Sequence, residues 1–304
     1  MKLQFGFDLG GTKTELAALN ASGEFVFRQR IPTPRESYGL ILQSMAELLT
    51  TACAQLGVDT PRCVGIGMPG CLDAQTGLVR GSNTLVLNQQ PFQKDLIHAL
   101  GCEVRLQNDA NCLALSEAID GAASDADVVF AAILGTGCGG GIVVNRRLLT
   151  GRHSLSGEWG HNPLPWPDTD ELNTSACWCG QTGCLETWLS GTGFAQDHAR
   201  HSGEHLAAQN IVQAMRDGDA QASASVQRYV HRLGRSLAQI INLLDPDCIV
   251  LGGGMSNVPE LYTFTGEVMA NYSFGIRATT PLRQAIHGDS SGVRGAAWLC
   301  ESRD

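Results

Sequence analysis

Leu3-Gln4-Phe5-Gly6-Phe7-Asp8-Leu9-Gly10-Gly11-Thr12-Lys13-Thr14 is an apolar strand pattern that runs into a glycine turn and resumes as a second strand pattern. It predicts a β-hairpin whose tip is almost entirely backbone. Glycine at the tip allows positive φ and close approach of a ligand, and exposed N–H groups can bind phosphate. A Gly-Gly pair is also common in an ordinary hairpin turn. Because the turn carries Asp8, which can hold Mg²⁺, and the donors Thr12 and Lys13, phosphate binding is favoured.

Two more glycine-rich turns follow strand-like runs. One spans residues 134–141, Leu-Gly-Thr-Gly-Cys-Gly-Gly-Gly, between two β-rich runs, and the other spans residues 250–256, Val-Leu-Gly-Gly-Gly-Met-Ser, between a strand and a helix. None of the three turns has the glycine spacing of a Rossmann or P-loop site. They indicate instead a nucleotide clamped between two halves of the chain. The residues expected to bind the nucleotide and its phosphates are Asp8, Gly10, Gly11, Thr12, Lys13, Thr136, Gly137, Gly253, Gly254 and Met255.

Strand and helix patterns alternate along the chain in two sets. A helical spacing from Val226 to Leu244 ends at Asp245-Pro246. A stretch of small polar residues at 121–127 is typical of a domain boundary. The alternation predicts an α/β protein with two related halves. The expected strands lie at 3–9, 14–19, 25–31, 63–68, 128–134 and 142–145, and the first long helix at 38–56.

Length and composition narrow the class of protein. A chain of 304 residues with 43% hydrophobic and 17% charged residues is typical of a globular protein of about two domains. The formal charge of −9, without clusters of Lys and Arg, excludes a general nucleic-acid surface. The first residues lack the apolar core of a signal peptide, and glycines interrupt every long apolar stretch. We therefore expect a cytoplasmic protein with no membrane partner.

Four residues have the composition of a closed zinc site: His161, Cys177, Cys179 and Cys184. Zinc binds thiolate and imidazole in a tetrahedron, and three cysteines with one histidine leave no position for a substrate. The spacing therefore predicts structural Zn²⁺ in a knuckle; the alternative is a set of reduced core thiols. The chain has eleven cysteines and no secretory signal, so a disulfide framework is not expected. Cys63 and Cys300 are among the cysteines predicted to be unpaired.

The segment Gln107-Asn108-Asp109-Ala110-Asn111 lies between a strand pattern at 104–106 and a helical pattern at 112–119. A carboxylate at such a junction is well placed to act as a general base. Asp and Asn are equally common there as N-caps of the following helix. Position alone leaves both roles open.

Five motifs in order resemble the ROK family of sugar kinases and repressors: Asp8-Leu-Gly-Gly-Thr-Lys, Asn108-Asp109-Ala-Asn111, Leu134-Gly-Thr-Gly-Cys-Gly-Gly, Glu158-x-Gly-His161 and Cys177-x-Cys179-Gly-x-x-Gly-Cys184-x-Glu186. The resemblance runs from Asp8 to the end of the chain. It implies an α/β, two-domain actin-like (ribonuclease-H-like) sugar kinase fold with an interdomain cleft. The expected domains are residues 1–120 plus 290–304 and residues 121–289, the second with the zinc knuckle.

The resemblance also implies roles for particular residues. Asp109 matches the general base, which fits phosphoryl transfer, where positioning and charge stabilisation do most of the work. His161 would give one ring nitrogen to zinc and turn the other toward the sugar. ATP with Mg²⁺ is the expected cofactor, and a homodimer is the expected assembly. The residues implied to contact sugar hydroxyls are Asn83, Asn108, Glu158, His161 and Glu186.

The sugar is the least determined part of the prediction. Residues 83–92 and 158–166 look most like the bacterial fructokinases, or manno(fructo)kinases, of the family, which favours D-fructose to fructose 6-phosphate. N-acetylglucosamine kinase and glucokinase of the same family are the alternatives. One or two buried hydrogen bonds can decide between hexoses.

Two other classes of function are considered. The family includes sugar-responsive transcriptional regulators, which carry a helix-turn-helix domain before the first glycine turn. Because that turn begins at residue 8 and the charge is acidic, no DNA-binding domain is expected. A non-catalytic sugar-binding protein would be expected to lack the base, and Asp109 is present. An ATP-dependent hexose kinase is therefore the favoured function.

Overall fold

The computed structural model describes residues 3–172, 175–275 and 279–301. In this part of the chain there are twelve β-strands and nine α-helices. Their order is β1 Gln4–Leu9, β2 Lys13–Leu19, β3 Phe25–Pro32, α1 Tyr38–Leu56, β4 Cys63–Met68, β5 Cys71–Leu72, β6 Val79–Arg80, α2 Phe92–Leu100, β7 Glu103–Asn108, α3 Asp109–Ile119, β8 Val128–Leu134, β9 Cys138–Val144, β10 Arg147–Leu148, α4 Glu186–Leu189, α5 Gly191–Ser202, α6 Ala208–Arg216, α7 Ala220–Leu244, β11 Cys248–Gly252, α8 Pro259–Tyr272, β12 Leu282–Gln284 and α9 Ser291–Trp298.

The chain divides into two compact units. The first consists of Met1–Gly121, Arg146–Ser156 and Asp289–Asp304, and the second of Ala122–Asn145 and Gly157–Gly288. Segment Arg146–Ser156 thus groups with the first unit, although the sequence placed it in the other. Among the described residues, no helix is both long enough and apolar enough to cross a membrane.

A mixed sheet with strand order β3-β2-β1-β4-β7 forms the centre of the first unit. β1 and β2 pair as the predicted antiparallel hairpin, with Leu9 opposite Thr14. β1, β4 and β7 run parallel, so Asp8 lies beside Gly67, and Met68 lies beside Asn108. The carboxyl ends of three neighbouring strands therefore meet at one edge, where α/β sheets usually bind ligands.

Helix α9 lies directly against this sheet because two glycines leave room for its backbone. A Cβ on Gly65 would lie 1.8 Å from the carbonyl oxygen of Ala296, and one on Gly6 would lie 2.3 Å from the amide of Ala297. No larger residue fits without moving the helix. The glycines thus serve a close backbone approach rather than a turn.

The packing of α9 corrects one sequence prediction. Cys63 and Cys300, both expected to be unpaired, form a disulfide with a Cα–Cα distance of 5.8 Å. Cys63 begins β4, and Cys300 follows α9, so the contact between β4 and α9 brings the two thiols together although they are 237 residues apart.

In the second unit β9 pairs antiparallel with β8, while β8, β11 and β12 run parallel. The glycine turn after β8 is shorter than predicted, since residues 139–141 belong to β9. The reason is a close contact: a Cβ on Gly140 would lie 2.8 Å from the Trp159 ring, and the Trp159 indole N–H donates to the Gly139 carbonyl at 2.7 Å. The glycines within β9 therefore leave room for the ring of Trp159, which packs against this strand.

A buried ion network joins α7 to the 3₁₀ helix Thr169–Glu171. Glu171 accepts from Arg232 at 2.7 Å and from Arg235 at 2.7 Å, and Arg232 also pairs with Asp197 of α5 at 2.9 Å. The Arg232 guanidinium lies 4.4 Å from the ring centre of Trp188 in α4. Charges that are paired in this way offset much of their cost of burial. The network fixes α4, which carries Glu186.

Candidate active site

The tip of the first hairpin is braced from the next strand. Gly10 N–H donates to the Lys13 carbonyl at 2.9 Å, closing the turn. The Thr33 hydroxyl donates to the Gly10 carbonyl at 2.8 Å, and the Thr33 N–H donates to the Thr12 carbonyl at 3.0 Å. The N–H of Gly11 is not used in these contacts, so the tip can offer a donor to an anion. Sequence reasoning missed Thr33, because only strand pairing brings it to the turn.

Asp8 lies at the end of β1 among other acidic groups. Burial, followed by the negative charges of Asp109 and Glu15, raises the pKa of Asp8 to about 6, while Arg30 and Lys13 act in the opposite direction. Glu15 is itself held by Arg30 at 2.7 Å. A nearby cation stabilises the charged form of a carboxylate whose pKa is raised by burial and by like charges. Asp8 is therefore suited to hold Mg²⁺.

Asn108 and Asp109 have separate tasks at the junction of β7 and α3. The Asn108 side chain accepts the N–H of Asn111 at 2.8 Å and is the N-cap of α3. Asp109 is the first residue of the helix, and its carboxylate accepts the N–H of Ala110 at 2.9 Å. The Asp109 side chain reaches solvent, yet the surrounding protein excludes enough water to raise its pKa. An accessible carboxylate with a raised pKa can accept a proton.

A cavity of about 190 Å³ opens beside this junction within the first unit. Asn83 lies beside the hairpin tip. A Cβ added to Gly11 would lie 3.8 Å from Asn83 Oδ1 and 3.7 Å from the buried hydroxyl oxygen of Thr84. The structure thus places Asn83 beside the first glycine turn and Asn108 beside the cavity. The cavity lining includes Met68, Gly70, Gln93, Gln107, Asn108 and Asn111.

The second and third glycine turns meet in the second unit. A Cβ on Gly253, whose φ is +80°, would lie 2.7 Å from the Leu134 carbonyl and 2.9 Å from the amide of Gly135. Gly191 N–H at the start of α5 donates to the Gly135 carbonyl at 2.7 Å, and the Thr192 hydroxyl donates to the Thr136 carbonyl at 3.1 Å. Thr136 and Gly137 therefore lie on a fixed turn next to the turn of Gly254 and Met255. A cavity of about 600 Å³ begins at Thr192 and extends along α5.

Glu186 connects that turn to the cysteine knuckle. One carboxylate oxygen accepts the N–H of Cys138 at 3.0 Å, and the other accepts the indole N–H of Trp178 at 2.6 Å. The Trp178 ring also packs edge-on against His161, with 5.0 Å between ring centres. Glu158 immediately precedes the 3₁₀ helix Trp159–His161. The second unit thus brings together three of the residues implied to contact sugar.

The four predicted zinc ligands form one cluster. The ligand atoms of His161, Cys177, Cys179 and Cys184 all lie within 4.8 Å of one another. His161 Nδ1 is 3.6 Å from Cys177 Sγ, and Cys179 Sγ is 3.6 Å from Cys184 Sγ. A tetrahedron with metal–ligand distances of about 2.0–2.3 Å has edges of roughly 3.3–3.8 Å. The donor set and its spacing fit Zn²⁺.

The whole chain is similar to known sugar kinases. A family model described as ROK family matches residues 4–303. The N-acetyl-D-glucosamine kinase of Escherichia coli O6:H1 is 38% identical, with coverage of 98% of this chain and 99% of the relative.

Solved structures agree with this similarity. A ROK hexokinase from Thermus thermophilus has 31% identity and a TM-score of 0.87, covering 98% of this chain and 97% of that one. A ROK family glucokinase from Streptomyces griseus in complex with glucose and AMPPNP has 27% identity and a TM-score of 0.77. The match covers 98% of this chain and 99% of that one. The fold is accordingly the two-domain, actin-like α/β fold of sugar kinases.

Proposed function

The chain belongs to the ROK family and is an ATP-dependent hexose kinase, and we propose that it phosphorylates N-acetyl-D-glucosamine at the 6-hydroxyl. The observation that supports this substrate is the 38% identity to N-acetyl-D-glucosamine kinase across nearly the full length of both proteins. The preference for fructose, drawn from residues 83–92 and 158–166, is not confirmed by these relatives. Fructose therefore remains as the second candidate.

In the proposed reaction Asp109 accepts the proton of the attacking hydroxyl. Its position at the end of β7, its access to solvent and its raised pKa support this role. The capping bond of Asn108 keeps the first turn of α3 formed, so the carboxylate stays in place. General-base assistance of this kind contributes about 10²- to 10⁴-fold in rate.

The glycine turns are proposed to bind ATP. In the first unit the N–H of Gly11, with Thr12 and Lys13, would hold phosphate oxygens next to Gly10, whose own N–H closes the turn, and Asp8 would hold Mg²⁺. When bound, Mg²⁺ supplies positive charge to the phosphates. In the second unit Thr136, Gly137, Gly253, Gly254 and Met255 would contact the rest of the nucleotide. The close contact between Gly253 and Leu134 supports a shared role for the two turns.

We propose that Asn83, Asn108, Glu158, His161 and Glu186 bind the sugar hydroxyls. Amides, carboxylates and an imidazole supply the mixture of donors and acceptors that a sugar ring needs. Zn²⁺ held by His161, Cys177, Cys179 and Cys184 would fix the tautomer of His161 and the knuckle around it. The metal has a structural role here, because its four protein ligands leave no open position.

The test is a coupled ADP-release assay with MgATP and five sugars. N-acetylglucosamine, N-acetylmannosamine, glucose, mannose and fructose are compared by kcat/KM. We expect the highest value with N-acetylglucosamine. A highest value with fructose would replace the proposed substrate and leave the kinase assignment intact, while no turnover with any hexose would contradict both.

A further inference from the structure

Trp178 is an exposed tryptophan that the fold nevertheless holds in place. Its side chain is 72% exposed, and it lies between two of the zinc-cluster residues, Cys177 and Cys179. Tryptophan is highly buried on average, so such exposure requires a reason. Two contacts restrict this side chain, and both are to residues proposed to bind sugar.

The first contact fixes the carboxylate of Glu186. The Trp178 indole N–H donates to Glu186 Oε1 at 2.6 Å, while Glu186 Oε2 accepts the N–H of Cys138 at 3.0 Å. The carboxylate is thereby held from both sides. Cys177 Sγ also lies 4.0 Å from Oε1. Two carboxylate oxygens offer about four acceptor positions, so at least one remains for a sugar hydroxyl. A glutamate fixed before the sugar arrives loses less rotamer entropy on binding.

The second contact restricts His161. The two rings meet nearly perpendicular, with an interplanar angle of 87° and 5.0 Å between centres. Edge-to-face packing of this kind is a favoured arrangement of aromatic rings. One side chain therefore orients both Glu186 and His161, which approach the knuckle from different elements, α4 and the 3₁₀ helix Trp159–His161.

We infer that Trp178 is a positioning residue for sugar binding, which acts by fixing the carboxylate of Glu186 through its indole N–H. The inference rests on the proposed role of Glu186 as a sugar ligand. The knuckle then has a task beyond fold stability, because it presents the indole to Glu186.

The test compares Trp178→Phe with a matched control, Trp166→Phe. Trp166 is also exposed, at 50%, and packs against Tyr272 rather than the sugar residues. With the hexose that wild type uses best, Trp178→Phe is expected to raise the sugar KM about tenfold, the size of a lost hydrogen bond to a charged acceptor. We expect kcat, the KM for ATP and zinc content to stay within about twofold, and the control to match wild type. An unchanged sugar KM in Trp178→Phe would overturn the inference.

A double-mutant cycle shows whether Trp178 acts through Glu186. In a Glu186→Ala background, which has no side-chain oxygen to accept the indole N–H, Trp178→Phe should change the sugar KM by less than about twofold, since coupled residues are non-additive. The same tenfold rise in both backgrounds would overturn the inference.

A second variant covers the case in which Trp178→Phe loses zinc. Trp178→Gln keeps an N–H donor and is then tested instead. A sugar KM close to that of wild type supports the inference, and a tenfold rise overturns it. The sugar preferred by wild type separately tests the proposed substrate.

Discussion

The side-chain oxygen of Asn108 accepts the backbone N–H of Asn111 at 2.8 Å, so Asn108 is the cap of α3 and the neighbouring Asp109 is not needed for that task. From the sequence, capping and base catalysis were competing interpretations of this junction. The structure assigns the cap to one residue and leaves the adjacent carboxylate at the first position of the helix. A chemical role for Asp109 is therefore compatible with a stable helix start.

Asp109→Asn is expected to lower kcat by about 10²- to 10⁴-fold, because an amide cannot accept the proton. Steady-state kinetics with the preferred hexose measures this loss. The melting temperature should stay close to that of wild type, since the cap at Asn108 is intact, and the sugar Kd from calorimetry should change little. A variant with a kcat within tenfold of wild type would remove Asp109 from the role of base.

The stability contributed by Asp8 should depend on pH. Its folded-state pKa is raised from 3.8 to about 6. Between these values the folded protein holds a proton that the unfolded chain has lost, so stability falls as the pH rises from about 4 to 6 and is constant above that. Two pKa units correspond to roughly 3 kcal/mol.

Asp8→Asn provides the reference for that measurement. Urea unfolding of both proteins at several pH values gives the difference in the free energy of unfolding at each pH. This difference should decrease by roughly 3 kcal/mol across the window, because the amide does not titrate. A difference that is independent of pH would show that Asp8 does not titrate with a raised pKa.

Cys179→Ser should release zinc and loosen the knuckle. Hydroxyl is a poor zinc ligand, and a structural metal contributes directly to folding free energy. We expect about one zinc ion less per chain by elemental analysis, a lower melting temperature and a higher sugar KM. Cys102→Ser is the matched control, because Cys102 is a free cysteine outside the cluster. Equal zinc content in the two variants would contradict the proposed ligand set.

Gly65→Ala should destabilise the first unit. The added Cβ would lie 1.8 Å from the Ala296 carbonyl oxygen, which forces α9 away from β4. We expect the free energy of unfolding to fall by about 3 kcal/mol or more, which is the upper end of the range for an overpacked core. Gly266→Ala in α8 is the control. Apart from the local backbone of α8 and the two chain neighbours, no heavy atom of the described residues lies within 4 Å of its added Cβ, and alanine in a helix should stabilise by about 0.5–1 kcal/mol. Equal melting temperatures in the two variants would contradict the close packing.

Local elements were predictable where the sequence carries their signals. Helix α1 has the predicted bounds because Ser37 caps its start and Gly57, with φ of +64°, ends it. The strands at 63–68 and 128–134 also match, since continuous apolar runs are typical of buried strands. The glycines of β9 were misjudged because their partner, Trp159, lies elsewhere in the sequence. Consecutive glycines in a sequence indicate a turn, and only the folded structure shows that a distant side chain packs against them.

In the candidate site, too, the sequence predicts local features but not contacts between residues that are distant along the chain. Asp8 and Asn108 could be placed at strand ends from sequence alone, because strand-to-turn junctions are local. The contacts of Glu186 with Cys138 and Trp178, and the bracing of the hairpin by Thr33, depend on tertiary proximity. The Cys63–Cys300 pair has no local signal either. The clustering of Cys177, Cys179 and Cys184 is the exception, because their short spacing in the sequence already predicts that they lie together.

The bond between Cys63 and Cys300 also closes residues 63–300 into a covalent ring, which leaves β1, β2, β3 and α1 on the chain before it. The ring contains β4, α9 and every element between them. A protease that cuts once anywhere in that stretch opens the ring but releases no fragment, so the nicked protein keeps its full mass until a reductant is added. The ring also keeps the C-terminal helix near β4 when the intervening segment unfolds, because the disulfide links them directly instead of through the 237-residue separation along the chain.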